Sequence, residues 1–429
     1  TVLKLMDKYP EYKFMSSQAV LYQMVKEDEP ELFARIKKAV SDGRWEIEGG
    51  MWLEADCNVT SGESLARQFL YGQKYFREEF GRTSRILWLP DVFGYSAALP
   101  QLMKLSGVEY FMTTKLSWSE FNLTPYDTFL WKGIDGSSVL THFSPSRELD
   151  YSRQRSDDNT DHGLPNYTTY NALLRPSQIA GGWQRFQQKD LDDRYLVSFG
   201  YGDGGGGPTE WMLENARRMG VPAPGTPAVA QTFALEFFQA LEKRVKDDPR
   251  LPRWSGELYL EYHRGTLTSM GRNKRFNRKI EFKLRETELL RTVALEKAGL
   301  PYPHGALDEI WRNVLILQFH DILPGTSIKK VYDDSTAMYL KAFEALDCLC
   351  REAVEALRRR TDGVTLVNTL SETRDDIACF EAPEGATHLL GEDGRLFPIQ
   401  RTEEGCSAFV KGLPAISGRF YGFSSGEAD

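Results

Sequence analysis

Residues 1–245 alternate short apolar stretches with amphipathic helical patterns, and this alternation limits the chain to few architectures. Strand candidates fall at 12–16, 45–52, 86–89, 110–113, 139–143 and 195–199. Between the first two, Leu32, Phe33, Ile36 and Val40 share one helical face. Pro30 stands in its first turn and Gly43 is its stop. Thr60-Ser61-Gly62-Glu63 reads as a capping box ahead of Leu65, Phe69, Tyr75 and Phe76. A further helix is expected from Ala97 to Leu105. Such a βαβα rhythm predicts a parallel sheet with helices outside it, open or closed into a barrel.

One strand carries a chemical signal. Ile86-Leu87-Trp88-Leu89 is cut by Pro90, which cannot donate to a ladder, and Asp91 follows at once. A carboxylate at the carboxyl end of a buried strand stands where α/β folds build their sites. Its plainer role would be to cap the next helix. Asp203 repeats the pattern past 195–199, inside Gly202-Asp203-Gly204-Gly205-Gly206-Gly207. A glycine run lets backbone approach a ligand closely, or simply makes a flexible turn. It is not a phosphate loop, because Pro208-Thr209 stands where Gly-Lys-Ser/Thr would be required.

The polar stretch 152–175 is long for a connection and reads as a functional loop or lid, or else as an excursion of no consequence. From about 256 helical periodicity dominates, in three helices that predict a small bundle over 256–360. Strand-and-turn texture over 361–429 predicts the start of a C-terminal β domain. The chain opens on Thr1 in what looks like mid-helix, so it is expected to be a piece of a longer polypeptide, cut at both ends.

A net charge of −8 with interspersed signs gives no nucleic-acid footprint and argues against anionic membrane partners. No apolar run approaches the ~18 residues of a membrane span. The cysteines (Cys57, Cys348, Cys350, Cys379 and Cys406) are odd in number and make no CxxC pair. They read as free thiols of a reducing, cytoplasmic setting, which makes the N-x-S/T triplets at Asn58, Asn122 and Asn166 chance matches. The histidines are His142, His162, His263, His304, His320 and His388, and no two lie three or four apart. Any metal site must therefore be assembled from distant parts of the chain. His320-Asp321 could supply a ligand, or a satisfied histidine at a helix end. The basic stretch from His263 and Arg264 through Arg272, Lys274, Arg275, Arg278 and Lys279 reads as a solvated face paired with Glu281 and Glu286. Trp52, Glu54 and Asp56 follow a strand end and could contact a sugar, or serve packing and a turn.

Three stretches together resemble glycoside hydrolase family 38, the class II α-mannosidases, and in particular its cytosolic and bacterial branch. They are Leu89-Pro90-Asp91-Val92-Phe93-Gly94-Tyr95-Ser96, the Gly202 to Thr209 run, and Gln318-Phe319-His320-Asp321-Ile322-Leu323-Pro324-Gly325-Thr326-Ser327. Glu261-Tyr262-His263-Arg264-Gly265-Thr266, Asn273-Lys274-Arg275, Gly49-Gly50-Met51-Trp52 and Thr113-Thr114-Lys115-Leu116-Ser117-Trp118 support it. The resemblance implies a seven-stranded β/α barrel (1–245, its first strand missing), a three-helix bundle (256–360) carrying a metal ligand, and the start of a β-sandwich domain (361–429). It implies Zn2+, or another divalent metal such as Co2+, in a sugar pocket. Asp91 would be the nucleophile and a metal ligand, His320 a second ligand, and Asp203 the general acid/base. Phe93 and Asp321 would contact substrate, and Lys115 would sit where some members carry an arginine. The substrate implied is a mannose-containing oligosaccharide, with no nucleic acid or membrane partner and a homo-oligomer left open.

The family's His-x-Asp motif, which supplies two more ligands, occurs nowhere in this chain. Its expected place is upstream of Thr1, and the fragment alone is expected to be inactive. The other readings are a metal-dependent deacetylase or amidohydrolase on a similar barrel, and a carbohydrate-binding pseudoenzyme.

Overall fold

A computed structural model describes residues 1–149, 167–221, 223–224, 226–358, 360–403 and 405–425. Most of the polar loop expected over 152–175, with His162 and Asn166, lies outside the described residues. The chain divides into two compact units. One comprises Thr1–Arg278 with Arg312–Ala337, the other Lys279–Trp311 with Met338–Asp429.

The first unit is a mixed α/β structure. Strands β1 (Phe14–Ser16) and β2 (Trp45–Ile47) pair in parallel. A five-stranded sheet follows in the order β3-β4-β6-β5-β7, built from Ile86–Trp88, Tyr110–Thr113, Thr128–Lys132, Ser138–Phe143 and Arg253–Ser255 for β3 to β7. Past β2 the chain stays beside β3, with Gly49 N–H donating to Ile86 O at 3.1 Å. β3, β4 and β6 run parallel, whereas β5 is antiparallel to β6. The helices are α1 (Val2–Lys8), α2 (Ala19–Asp28), α3 (Pro30–Ser41), α4 (Gly62–Phe80), α5 (Leu99–Leu105), α6 (Pro176–Arg185), α7 (Glu210–Met219) and α8 (Ala234–Val245). Phe237, Phe238, Leu241 and Val245 of α8 bury against Ile86, Trp88, Tyr110, Met112 and Leu140 of the sheet.

Three expectations need correction. The sheet does not close into a barrel among the described residues, because its hydrogen bonding runs from β1 to β7 and stops. Residues 195–199 form no strand. Their ladder is a single parallel bridge, Ala172 with Phe199. The cap of α4 is Ser61, whose hydroxyl accepts from Ser64 N–H at 3.2 Å, one residue later than the Thr60–Glu63 box. Pro30 does open α3.

Three further helices follow as expected: α9 (Gly271–Ala298), α10 (His304–Ile316) and α11 (Lys329–Leu357). Within the second unit Leu290 and Ala294 pack with Cys350 and Ala353. Residues 363–424 form two antiparallel sheets around one core containing Leu389, Phe397, Ala408, Val410 and Tyr421. The basic stretch is only partly a solvated face. Arg272, Arg275 and Lys279 are exposed, but Lys274 Nζ donates to the carbonyls of Ser269, Leu323 and Pro324.

Two glutamates, Glu48 buried and Glu46 half-buried, fasten β2 to the rest. Glu46 accepts from the N–H groups of Ala234 and Leu235 at the start of α8, at 2.8 and 3.0 Å. Glu48 accepts from Ser84 Oγ and from the N–H groups of Arg85 and Ile86 at 2.6, 2.8 and 2.9 Å. Burial pushes each carboxyl up to about 7. A carboxyl held above its unfolded value favours the fold fully below ~pH 4.5, and that contribution fades as pH rises through about 7. Chemical unfolding should therefore become easier between ~pH 5 and ~pH 8. Glu48→Gln, which cannot ionise, should flatten that slope. An unchanged slope would remove Glu48 from the account.

Candidate active site

Asp91 stands just past β3, as Pro90 dictates. The chain behind it is fixed by Pro90 O, which accepts from Thr114 N–H at 3.2 Å and Thr114 Oγ1 at 2.9 Å. Tyr95 Oη, buried, donates to Leu89 O at 2.8 Å and lies 2.6 Å from Thr113 Oγ1. Thr113 ends β4, so the loops after β3 and β4 are tied together. That tie carries Lys115 to Asp91, Nζ to Oδ1 at 2.6 Å, with the lysine side chain 5% exposed.

His320 reaches the same point from the end of α10. Residues 54–57 run between two partners. On one side Ala55 bridges Phe319, and Asp56 N–H donates to Gln318 O at 2.9 Å. On the other side Cys57 bridges Tyr95, and Asn58 Nδ2 donates to Phe93 O at 2.9 Å. Glu54 O accepts from His320 N–H at 3.2 Å, and His320 Nδ1 lies 2.9 Å from the same oxygen. A carbonyl only accepts, so Nδ1 carries a proton. Nε2 then faces Asp91 Oδ2 at 3.8 Å and Asp321 Oδ2 at 3.9 Å.

Burial alone would raise the Asp91 carboxyl. His320 and Lys115 outweigh it, and the net shift is downward. Burial would likewise lower His320, but Asp91, Glu54 and Asp321 carry it upward. A nitrogen with its other ring N–H spent on a backbone carbonyl, facing two carboxylates, is a donor set suited to a divalent cation. Among the described residues no three His, Cys, Asp or Glu side chains converge closely enough to hold an ion unaided.

The structure brings Asp91, Phe93, Lys115, His320 and Asp321 together. The Phe93 ring lies edge-on to His320 at 5.8 Å and to His263 at 4.9 Å, and Lys115 Nζ lies 5.2 Å from its centroid. Asp203 is separate in character: exposed, with φ of 51°, and accepting from Tyr170 Oη at 3.1 Å. Asp203 and Asp91 both act electrostatically on Tyr170.

Of the undecided trio, Trp52 is packing against Tyr71 and Tyr75, and Asp56 turns the chain by accepting from the N–H groups of Asn58, Val59 and Thr60. Glu54 belongs to the site. It is buried, accepts from Ser17 Oγ at 3.1 Å and Gln18 Nε2 at 3.3 Å, and is pushed up to about 7 by burial. Only its place after a strand end could have marked it. Tyr170 and Trp118, the latter 3.9 Å from Lys115 Nζ, gave no separate signal as site residues.

Residues 1–257 match the glycosyl hydrolases family 38 N-terminal domain. This chain belongs to glycoside hydrolase family 38. Residues 261–357 match the alpha mannosidase middle domain. Alpha-mannosidase G of Dictyostelium discoideum is 42% identical over 85% of the chain and 31% of its own length. Alpha-mannosidase of Saccharomyces cerevisiae is 41% identical over 76% and 29%. Human alpha-mannosidase 2C1 is 37% identical over 91% and 35%. The chain thus spans about a third of the length of these relatives. An Enterococcus faecalis alpha-mannosidase crystal structure shares the fold, with a TM-score of 0.75 and 18% identity over 99% of this chain and 53% of that one. Among the described residues no helix is long and apolar enough to cross a membrane.

The seat of residues 50–54 depends on Gly72 of α4, where a Cβ would stand 2.4 Å from the Met51 carbonyl carbon and 2.8 Å from Gly50 O. Gly72→Ala should cost about 1–3 kcal/mol of stability in denaturant unfolding. Unaltered stability would contradict this close approach.

Proposed function

We propose that the protein carrying this chain is a retaining α-mannosidase acting on mannose-containing oligosaccharides. The observation that carries the reading is the Asp91 carboxylate, held anionic between Lys115 at 2.6 Å and His320 at 3.8 Å at a strand's carboxyl end. Asp91 attacks the anomeric carbon, and the glycosidic bond breaks as Asp203 gives its proton to the leaving oxygen. Asp203 then takes a proton from water, whose oxygen displaces Asp91 and releases the sugar with its configuration retained. Phe93 forms a wall of the pocket, and Asp321 contacts the sugar. Lys115 keeps Asp91 ionised.

His320 and Asp91 would hold a divalent metal, Zn2+ or another such as Co2+. When bound, it supplies Lewis-acid polarisation and orients the sugar hydroxyls. The finer architecture we read as a seven-stranded β/α barrel completed beside β1. Two observations support this: β1 pairs only with β2 among the described residues, and Phe199 forms one parallel bridge with Ala172. We take 1–245 as the catalytic region, 256–360 as the helical one bringing His320, and 361–429 as a β domain. Five unpaired cysteines support a cytoplasmic setting.

In the full-length protein, Asp91→Ala and Asp203→Ala should each lower turnover of an aryl α-mannoside by several orders of magnitude. A fluorinated mannosyl fluoride should label the peptide bearing Asp91. Near-normal turnover in either variant, or a label on another peptide, would overturn the assignment.

A further inference from the structure

Asp203 is an acid carried by a glycine-rich turn, and such a turn does not by itself hold a side chain still. The backbone cost is explicit, since Asp203 is a non-glycine residue in the left-handed region at φ 51°. Something outside the turn must hold it.

The segment 169–172 lies alongside. Ala172 N–H donates to Ser198 O at 3.2 Å, and Gly200 N–H donates to Ala172 O at 3.0 Å. Tyr201 and Gly207 close the turn by exchanging N–H···O bonds at 2.9 and 2.8 Å. Between them Gly202 abuts Asn171 so closely that a Cβ would lie 2.3 Å from its Oδ1. From this braced segment Tyr170 Oη reaches Asp203 Oδ1 at 3.1 Å. The segment is anchored in turn to the loop bearing Lys115: Thr168 N–H donates to Ser117 Oγ at 3.0 Å, and Trp118 Nε1 donates to Thr168 O at 3.3 Å.

We propose that Tyr170 is the positioning residue for Asp203. Its hydroxyl fixes the carboxyl rotamer, and the 167–172 segment ties the acid on its turn to the loop that holds the nucleophile's partner. This rests on the reading of Asp203 as the general acid/base. A neutral donor on one oxygen leaves the other free to carry the proton and face the leaving group.

The test uses the full-length enzyme and two aryl α-mannosides, one with a poor leaving group and one with a strongly activated one. The activated aglycone departs without help, so a defect in acid assistance spares its glycosylation step, and added azide replaces the base in deglycosylation. Tyr170→Phe should lower kcat/KM about tenfold on the poor leaving group and little on the activated one, with an unchanged melting temperature. Asp203→Asn should show the same pattern more strongly, with azide rescuing turnover of the activated substrate. Tyr170→Phe in the Asp203→Asn background should add no further loss. Equal losses on both substrates, no loss at all, or additive losses in the double variant would overturn the Tyr170 inference alone. If Asp203→Asn lacks the leaving-group pattern, the role of Asp203 fails and this inference falls with it.

Discussion

One carbonyl oxygen organises the site. Glu54 O receives both the main-chain N–H and the Nδ1–H of His320. This fixes a tautomer and an orientation for a ring whose residue lies far along the chain. The remaining nitrogen has a single direction, toward Asp91 and Asp321. The alignment is only as firm as residues 54–58, and these are gripped on both sides, by 318–320 and by the loop after β3. Packing beneath them, with Trp52 among Tyr71 and Tyr75, makes the grip stiff.

The same scaffold gives two aspartates opposite surroundings. Asp91 is enclosed, with a cation beside it and an imidazole facing it, so charge on its carboxylate is favoured despite burial. Asp203 is on an exposed turn, with a neutral phenol as its hydrogen-bond partner. The two carboxyl groups thus stand in contrasting surroundings, and the proposed division of roles between them draws on that contrast. Lys115 also lies over Trp118, so its position is set by an aromatic face as well as by the carboxylate it serves.

The sequence made some of this legible through local chemistry. Pro90 ended a strand and so placed Asp91, Pro30 opened a helix, and the apolar runs at 86–89 and 110–113 became adjacent parallel strands. Other parts were settled by distant partners. β7 is three residues long and exists because Trp131 and its neighbours offer a ladder, with no apolar run of its own. Residues 195–199 have strand-like composition but find one bridge, because propensity without a neighbouring edge makes no sheet. Glu54, Trp52 and Asp56 looked alike in sequence, and three different sets of contacts sent one to the site, one to the core and one to a turn. The pairing of His320 with Asp91 could be reached only through family resemblance, since no local spacing joins them.

The most direct measurement is a crystal structure of the full-length protein loaded with zinc, with anomalous data collected at the zinc edge. The account predicts a peak about 2.0–2.1 Å from His320 Nε2 and in the Asp91 coordination sphere, with Nδ1 still on the Glu54 carbonyl. A peak bound through Nδ1, or a metal that avoids both residues, would contradict it.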